Sequence, residues 1–378
     1  MKLPSFSKLD LSSVDTLSDS PIPFETVFVN DKGYSDVRHI NLSNTKFWSG
    51  NIGQGTFTVN IEKYTKLKDL NISSSIVTSI SLPNASLASL NITNSAVEGI
   101  SLVNQPFLDR LDFSGCKRLK TVTVDSCDKI TELNLSNLGD LHTIRITSCP
   151  NLKSIICTNN VNLTTFNVSN CNNVEIINIS QCTNAALTVY IVGVPNIKEL
   201  NVSSTNTPND IQVASSLPNL RTLNISNSQV SAIQYGNAAV PTYKENKIFD
   251  VSKLNLTSLS VQNAKGIHYF KFDNNRNTPF NVSGSFFVGC SNLKRVFGHI
   301  KLNGTSIFAQ CGSFYIHEPK EKVEGITPDY MGEWFGSDTS TEEGKTAWDN
   351  NTDLGTNFTI GTTDCRSMFD ATNCSIYD

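Results

Sequence analysis

Apolar side chains recur along this chain in a phrase of fixed length. Between Leu108 and Cys182 the phrase is apolar-x-x-apolar-x-apolar-x-x-Cys or Asn, and it returns every eleven residues. It reads Leu108-Leu111-Phe113-Cys116, Leu119-Val122-Val124-Cys127 and Ile130-Leu133-Leu135-Leu138. It continues as Leu141-Ile144-Ile146-Cys149, Leu152-Ile155-Cys157-Asn160, Leu163-Phe166-Val168-Cys171 and Val174-Ile177-Ile179-Cys182. The second and third apolar positions are two residues apart, which is strand spacing with both side chains on one face. The residue between them is polar in most phrases: Asp112, Thr123, Asn134, Arg145, Asn167 and Asn178. Ser, Thr, Asn, Asp and Gly follow each strand and bend the chain by side-chain-to-backbone hydrogen bonds.

An eleven-residue unit is too short for a strand and a returning helix. Two units make a coil of about twenty-two residues, within the range of a leucine-rich repeat. The pattern therefore predicts a mainly β, flattened solenoid of parallel strands, with a short strand on each broad face. Each coil is read as 21–22 residues in two halves of ten or eleven. Upstream the period is ten, in Leu67-Leu70-Ile72, Val77-Ile80-Leu82, Leu87-Leu90-Ile92 and Val97-Ile100-Leu102. Downstream it is less even: Ile197-Leu200-Val202, Leu220-Leu223-Ile225, Leu256-Leu259-Val261 and Ile267-Phe270-Phe272 fit. The gaps at 204–216 and 236–252 are read as loops inserted between coils.

The phrase L-x-x-L-x-L-x-x-N/C resembles the leucine-rich repeat signature. The later part is similar to the BspA-like type, whose repeats carry a Phe shortly before a Cys. Phe287-Val288-Gly289-Cys290 and Phe308-Ala309-Gln310-Cys311 show this, with Asn292–Val296 between them as the start of a strand. Asp364-Cys365-Arg366-Ser367-Met368-Phe369 resembles a Met-Phe variant. The resemblance spans residues 61–317 and that terminal fragment. It implies surface adhesion or protein binding rather than catalysis. The near-equivalence of the two half-coils departs from the family pattern.

Composition narrows the function classes. Net charge is −4 and charged residues are 17% of the chain. No Lys/Arg stripe suited to nucleic acid stands out. No run of eighteen apolar residues occurs, so no membrane-spanning helix is expected. Met1-Lys2-Leu3-Pro4-Ser5-Phe6 has no apolar run of a secretory signal. The expectation is synthesis in a cytosol, with virion association as the destination and a bacterial cell surface as the alternative. Of ten cysteines, Cys116, Cys127, Cys149, Cys171 and Cys182 share the last slot of the phrase with Leu138 and Asn160. That slot asks for modest size or a turn hydrogen bond, so the cysteines are read as reduced and structural. Asn-x-Ser/Thr sequons at Asn71, Asn91, Asn134, Asn167, Asn178, Asn201 and Asn224 are read as outward polar strand residues rather than glycan acceptors.

Residues 1–60 are read as an N-terminal cap or docking segment, 61–317 as the solenoid, and 318–378 as an acidic, aromatic insertion with the start of a further repeat. The insertion holds Trp334, Phe335 and Trp348 beside glycines, and these three are the candidate partner-binding residues. No catalytic, cofactor or metal site is predicted. The histidines His39, His142, His268, His299 and His317 sit in no motif with a nucleophile and an acid. Asp349–Gly355 has oxygens at three calcium-loop places but lacks the glycine, and Ile360 stands where the bidentate Glu belongs. A carbohydrate-cleaving site on Glu333 and Asp338, or Glu342 and Asp349, is the enzyme alternative. The reading is a non-enzymatic interaction or structural protein. Its partners would be other proteins, as subunits of a large assembly such as a bacteriophage virion or tail, or a host surface receptor for an adhesin.

Overall fold

The structure is a computed structural model of the 378-residue chain. It describes residues 7–12, 36–45, 58–84, 86–206, 211–213, 217–230, 233–235, 248–251, 254, 256–272, 280–283, 285–293, 295–303, 311 and 356–360. Among these there is no α-helix, and none long and apolar enough to cross a membrane. The chain divides into two compact units, Met1–Glu199 and Leu200–Asp378.

In the first unit most coils contribute strands to parallel ladders, two of which run through its later part. One ladder has five-residue strands: Gly99–Val103, Thr121–Asp125, Thr143–Thr147, Thr165–Ser169 and Thr188–Val192. The other has three-residue strands: Glu132–Asn134, Ser154–Ile156 and Ile176–Asn178. We call these the long-strand and short-strand faces. Further toward the N-terminus Lys8–Asp10, His39–Asn41, Asp69–Asn71 and Ser89–Asn91 form one ladder, and Thr58–Asn60 pairs with Ser79–Ser81. Three of those strands, Lys8–Asp10, His39–Asn41 and Thr58–Asn60, lie within 1–60.

The core sits between the ladders and is built in columns. Register places Val122, Ile144, Phe166 and Val189 over one another, each at most 2% exposed. The first apolar residue of the phrase, as in Leu119, Leu141 and Leu163, is fully buried where the chain turns into the strand. Each such side chain contributes roughly 1.5–3 kcal/mol by leaving water. The expected alternation holds, with Thr123, Arg145 and Asn167 on the outer side of the strands.

The corners require backbone that most residues avoid. Asn94, Asn104, Ser126, Asn137, Ser148, Asn159 and Asn170 have φ between 51° and 61°, and Gly115 and Gly193 take the same region. Asn, Ser and Gly tolerate it best. On the short-strand face the sequon asparagine also sets the corner. Asn71, Asn91, Asn134 and Asn178 each accept a hydrogen bond on Oδ1 from the N–H two residues on, at 3.0–3.2 Å. These residues point outward as expected, but as turn caps rather than passive surface.

The last slot of the phrase is a stacked polar column. Cys116 Sγ lies 3.0 Å from Ile92 O, and Cys182 Sγ lies 3.1 Å from Cys157 O. Asn160 does the same work with an amide, donating to Leu135 O at 2.8 Å and accepting from Leu138 N at 2.8 Å. All eight described cysteines are free and buried, as the sequence indicated.

The second unit carries Ile211–Val213 paired with Ile233–Tyr235, and Thr222–Asn224 paired with Ser258–Ser260. Ile248–Asp250, Tyr269–Lys271 and Arg295–Asn303 pair in turn, and Arg295–Asn303 also takes Phe280–Ser283 and Thr356–Ile360. Rings fill this core: Phe270 lies 5.4 Å from Phe249, 4.9 Å from Phe272 and 5.4 Å from Phe287. Two expectations are corrected here. The gaps 204–216 and 236–252 each hold a strand. Ile211 and Val213, like Phe249 and Val251, bury on period two without the apolar residue three places earlier that marks a phrase. Strand Thr356–Ile360, inside the stretch read as an acidic insertion, is a further addition.

Two substitutions test this account in denaturant unfolding. Asn160→Leu should destabilise by about 2–4 kcal/mol, because Leu138 N–H and Leu135 C=O are then buried unpaired. Gly115→Ala should also destabilise, since φ is +73° and the new Cβ would lie 1.9 Å from Asn94 Oδ1. Asn137→Gly, at an equivalent left-handed corner, should be close to neutral.

Candidate functional site

Coil length changes along the first unit. Register partners Asp69 and Ser89 are twenty residues apart, while Thr121 and Thr143 are twenty-two apart. At about 3.3 Å per extended residue, two extra residues lengthen a coil by roughly 6–7 Å. A longer coil cannot stay in step with a shorter neighbour on both faces, and both ladders break where the lengths change. Ser89–Asn91 ends one ladder and Glu132–Asn134 begins the next. Between them lies the phrase Leu111-Asp112-Phe113. Its spacing predicts a strand, yet it forms none. Phe113 is buried but Leu111 is only half-buried.

The long-strand side of this step is held shut. Gly99–Val103 and Thr121–Asp125 match over five register pairs. Gln105, 1% exposed, reaches back across the junction. Its Nε2 donates to Pro83 O at 2.7 Å and its Oε1 accepts from Leu87 N at 3.0 Å. A side-chain amide here replaces ladder bonds that the length change has removed. Nothing in the phrase announced this role, although a Gln in the Cys slot is a departure from it.

The short-strand side is open. One coil later, Leu135 N–H donates to Ile156 O at 2.7 Å and Asn137 N–H to Thr158 O at 2.9 Å. The counterparts between 109–115 and 131–137 are not made. The segment is tied instead to the preceding coil, through Asn94 N to Ser114 O at 2.8 Å. The result is a cavity of about 1110 Å³. Leu90, Asn91 and Thr93 line one side, Asn134, Ser136 and Asn137 the other, and Arg110–Gly115 run between.

The lining mixes apolar and polar groups and carries one charge of each sign. Asp112 accepts from the Ser114 hydroxyl and, at 2.8 Å, from Ser114 N–H, and these bonds hold its carboxyl below the usual carboxylate range. Arg110 is exposed. Three residues before it, Phe107 is 46% exposed, with Lys68 Nζ 4.7 Å and Lys129 Nζ 5.9 Å from its ring centroid. Contacts of this kind contribute about 0.5–1 kcal/mol at exposed sites.

Trp334, Phe335 and Trp348 lie outside the described residues, as do Glu333, Asp338, Glu342 and the calcium-like run 349–355. Among the described residues, no group of three or more His, Cys, Asp or Glu is placed to hold a metal. His39 Nδ1 lies 2.6 Å from Asp69 and His142 Nδ1 lies 2.5 Å from Asp140 O, both on the surface. Glu98 is held low by the Lys120 ammonium at 2.8 Å and by Arg118 at 2.5 Å, an exposed ion triad.

The coil geometry has a counterpart among known proteins. Residues 63–259, just over half the chain, match the family model described as At1g61320/AtMIF1, LRR domain. The chain belongs to this leucine-rich repeat family. That bears out the resemblance read from the phrases. Solved structures with some likeness include a leucine-rich repeat protein from Bacteroides ovatus, 17% identical with a TM-score of 0.33, covering 70% of each chain. The pneumococcal vaccine antigen PcpA is 13% identical with a TM-score of 0.31, covering 88% of this chain and 82% of its own. A Leptospira interrogans leucine-rich repeat protein is 15% identical with a TM-score of 0.24, covering 79% and 84%. No curated protein matches.

The buried thiols give a measurable consequence. Burial pushes Cys127 up to about 11 and Cys290 up to about 12. The folded state therefore favours the neutral thiol. The unfolded chain loses those protons from about pH 9 upward, so stability present below pH 9 should fall as pH rises through 11. Urea midpoints at pH 8 and 10.5 check this. In the native state a disulfide reagent should titrate few of these thiols, and all of them in denaturant.

Proposed function

We propose that this leucine-rich repeat solenoid is a non-enzymatic protein-interaction scaffold, and that it serves as a component of a large assembly such as a bacteriophage virion or tail. The observation that carries the scaffold reading is the in-register outer surface. Thr121, Thr143, Thr165 and Thr188 form one row on the long-strand face, with Thr123, Arg145, Asn167 and Tyr190 beside them. Such rows are rigid, polar and weakly charged, and they offer repeated contacts along a single surface. The described carboxylates support no paired-acid chemistry. Those with shifted acidity, Asp10, Glu98 and Asp112, are all shifted downward by hydrogen bonds or cations, the opposite of what a general acid needs.

Buried free thiols support the assembly reading, because they suit a protein made and matured under reducing conditions. The test is size-exclusion chromatography with light scattering on material from the native source, followed by cross-linking. Elution within a particle far larger than 41.4 kDa, cross-linked to defined neighbours, is the expected result. A free species on the cell surface would replace the assembly reading with that of an adhesin.

A further inference from the structure

The open step on the short-strand face lacks a definite kind of partner. The N–H groups of Phe113 and Gly115 would, in the regular repeat, donate to the carbonyls of Asn134 and Ser136. The carbonyl of Asp109 would accept from Thr131 and Glu132. None of these bonds is made, and Phe113, Gly115, Asn134 and Ser136 all line the cavity. The chemistry that matches such rows is another main chain in extended form. A saccharide would ask for an exposed ring to stack on, and Phe113, the ring among the lining residues, is 2% exposed.

We propose that the step between Arg110–Gly115 and Glu132–Asn137 is a peptide-binding cleft that takes an extended segment of a partner protein as an added strand. The strand on its far side, Glu132–Asn134, is three residues long, so a short segment suffices. Main-chain bonds supply affinity without sequence. Arg110 and Asp112, alternate residues of one segment, supply selectivity for a peptide with a carboxylate and a cation two residues apart. The five register pairs on the long-strand side keep the step from dissociating while the other side stays open. The proposal rests on reading the chain as a protein-binding scaffold, and it adds where and how a partner binds.

The test uses the full chain and a fluorescein-labelled peptide with the sequence of Ile130–Gly139, a copy of the repeat's own strand phrase. Anisotropy should show saturable one-to-one binding. Methylating alternate peptide nitrogens should weaken it roughly ten-fold, the worth of one or two main-chain bonds. Ser114→Trp, at an exposed lining position, should weaken it similarly. Hydrogen exchange at Phe113 and Gly115 should be fast in the free chain, compared with Leu135 and Asn137, and should slow on binding. The proposal is overturned by no saturable binding, by equal binding of the methylated peptide, or by Phe113 and Gly115 amides already protected in the free chain. If Ser114→Trp does not fold, the methylated peptide and the exchange data decide. Failure of the peptide alongside particle-sized elution leaves the scaffold and removes the cleft. Elution as a free species counts against the assembly alone.

Discussion

Parallel hydrogen bonding between successive coils ties the length of each coil to that of its neighbour. Where register partners stay twenty-two residues apart, five-residue strands stack without interruption and inward side chains line up as columns. The corner conformations, the stacked Cys/Asn slot and the outer rows all follow from that equality. They repeat because the backbone path repeats. The energetic weight lies in the columns, since every phrase brings three or four side chains to nearly complete burial.

The same constraint explains the least regular place in the first unit. Coils of twenty residues meet coils of twenty-two, and neither ladder runs through the change unbroken. On the long-strand side pairing resumes at once from Gly99–Val103 onward, with Gln105 filling in for main-chain groups. The short-strand side gives way. The open step is thus a product of the length difference rather than of any unusual residue in Leu111–Phe113, whose sequence is as strand-like as its neighbours.

Much of this was legible in the sequence, because a strict period leaves few alternatives. The apolar positions of the seven central phrases are almost all buried, and the polar residues between them face outward. The cysteine slot also read correctly, since Leu138 and Asn160 occupying it pointed to packing and a turn bond. What escaped the pattern was relational. The phrase at Leu111 looks like any other, and its failure to pair depends on the lengths of the coils beside it. Ile211–Val213 and Ile248–Asp250 lack the leading apolar residue, so a template built on that residue passes over them. Asn91 and Asn134 read as surface polar residues. Their role as corner caps depends on where the following N–H points, which composition does not show.

Inheritance of such a chain is constrained by the columns. Losing or gaining a single residue inside a strand phrase would turn every later inward side chain of that half-coil toward solvent. Adding a whole coil leaves each column intact and simply one layer taller. Between these extremes lie changes at the corners, which the ladders tolerate on one face at the expense of the other. A solenoid of this kind can therefore diversify in two ways without collapse: by duplicating complete coils, and by accumulating small length differences at corners. The second route creates open steps like the one beside Arg110, so new clefts can arise from slippage in length without a single substitution in the core.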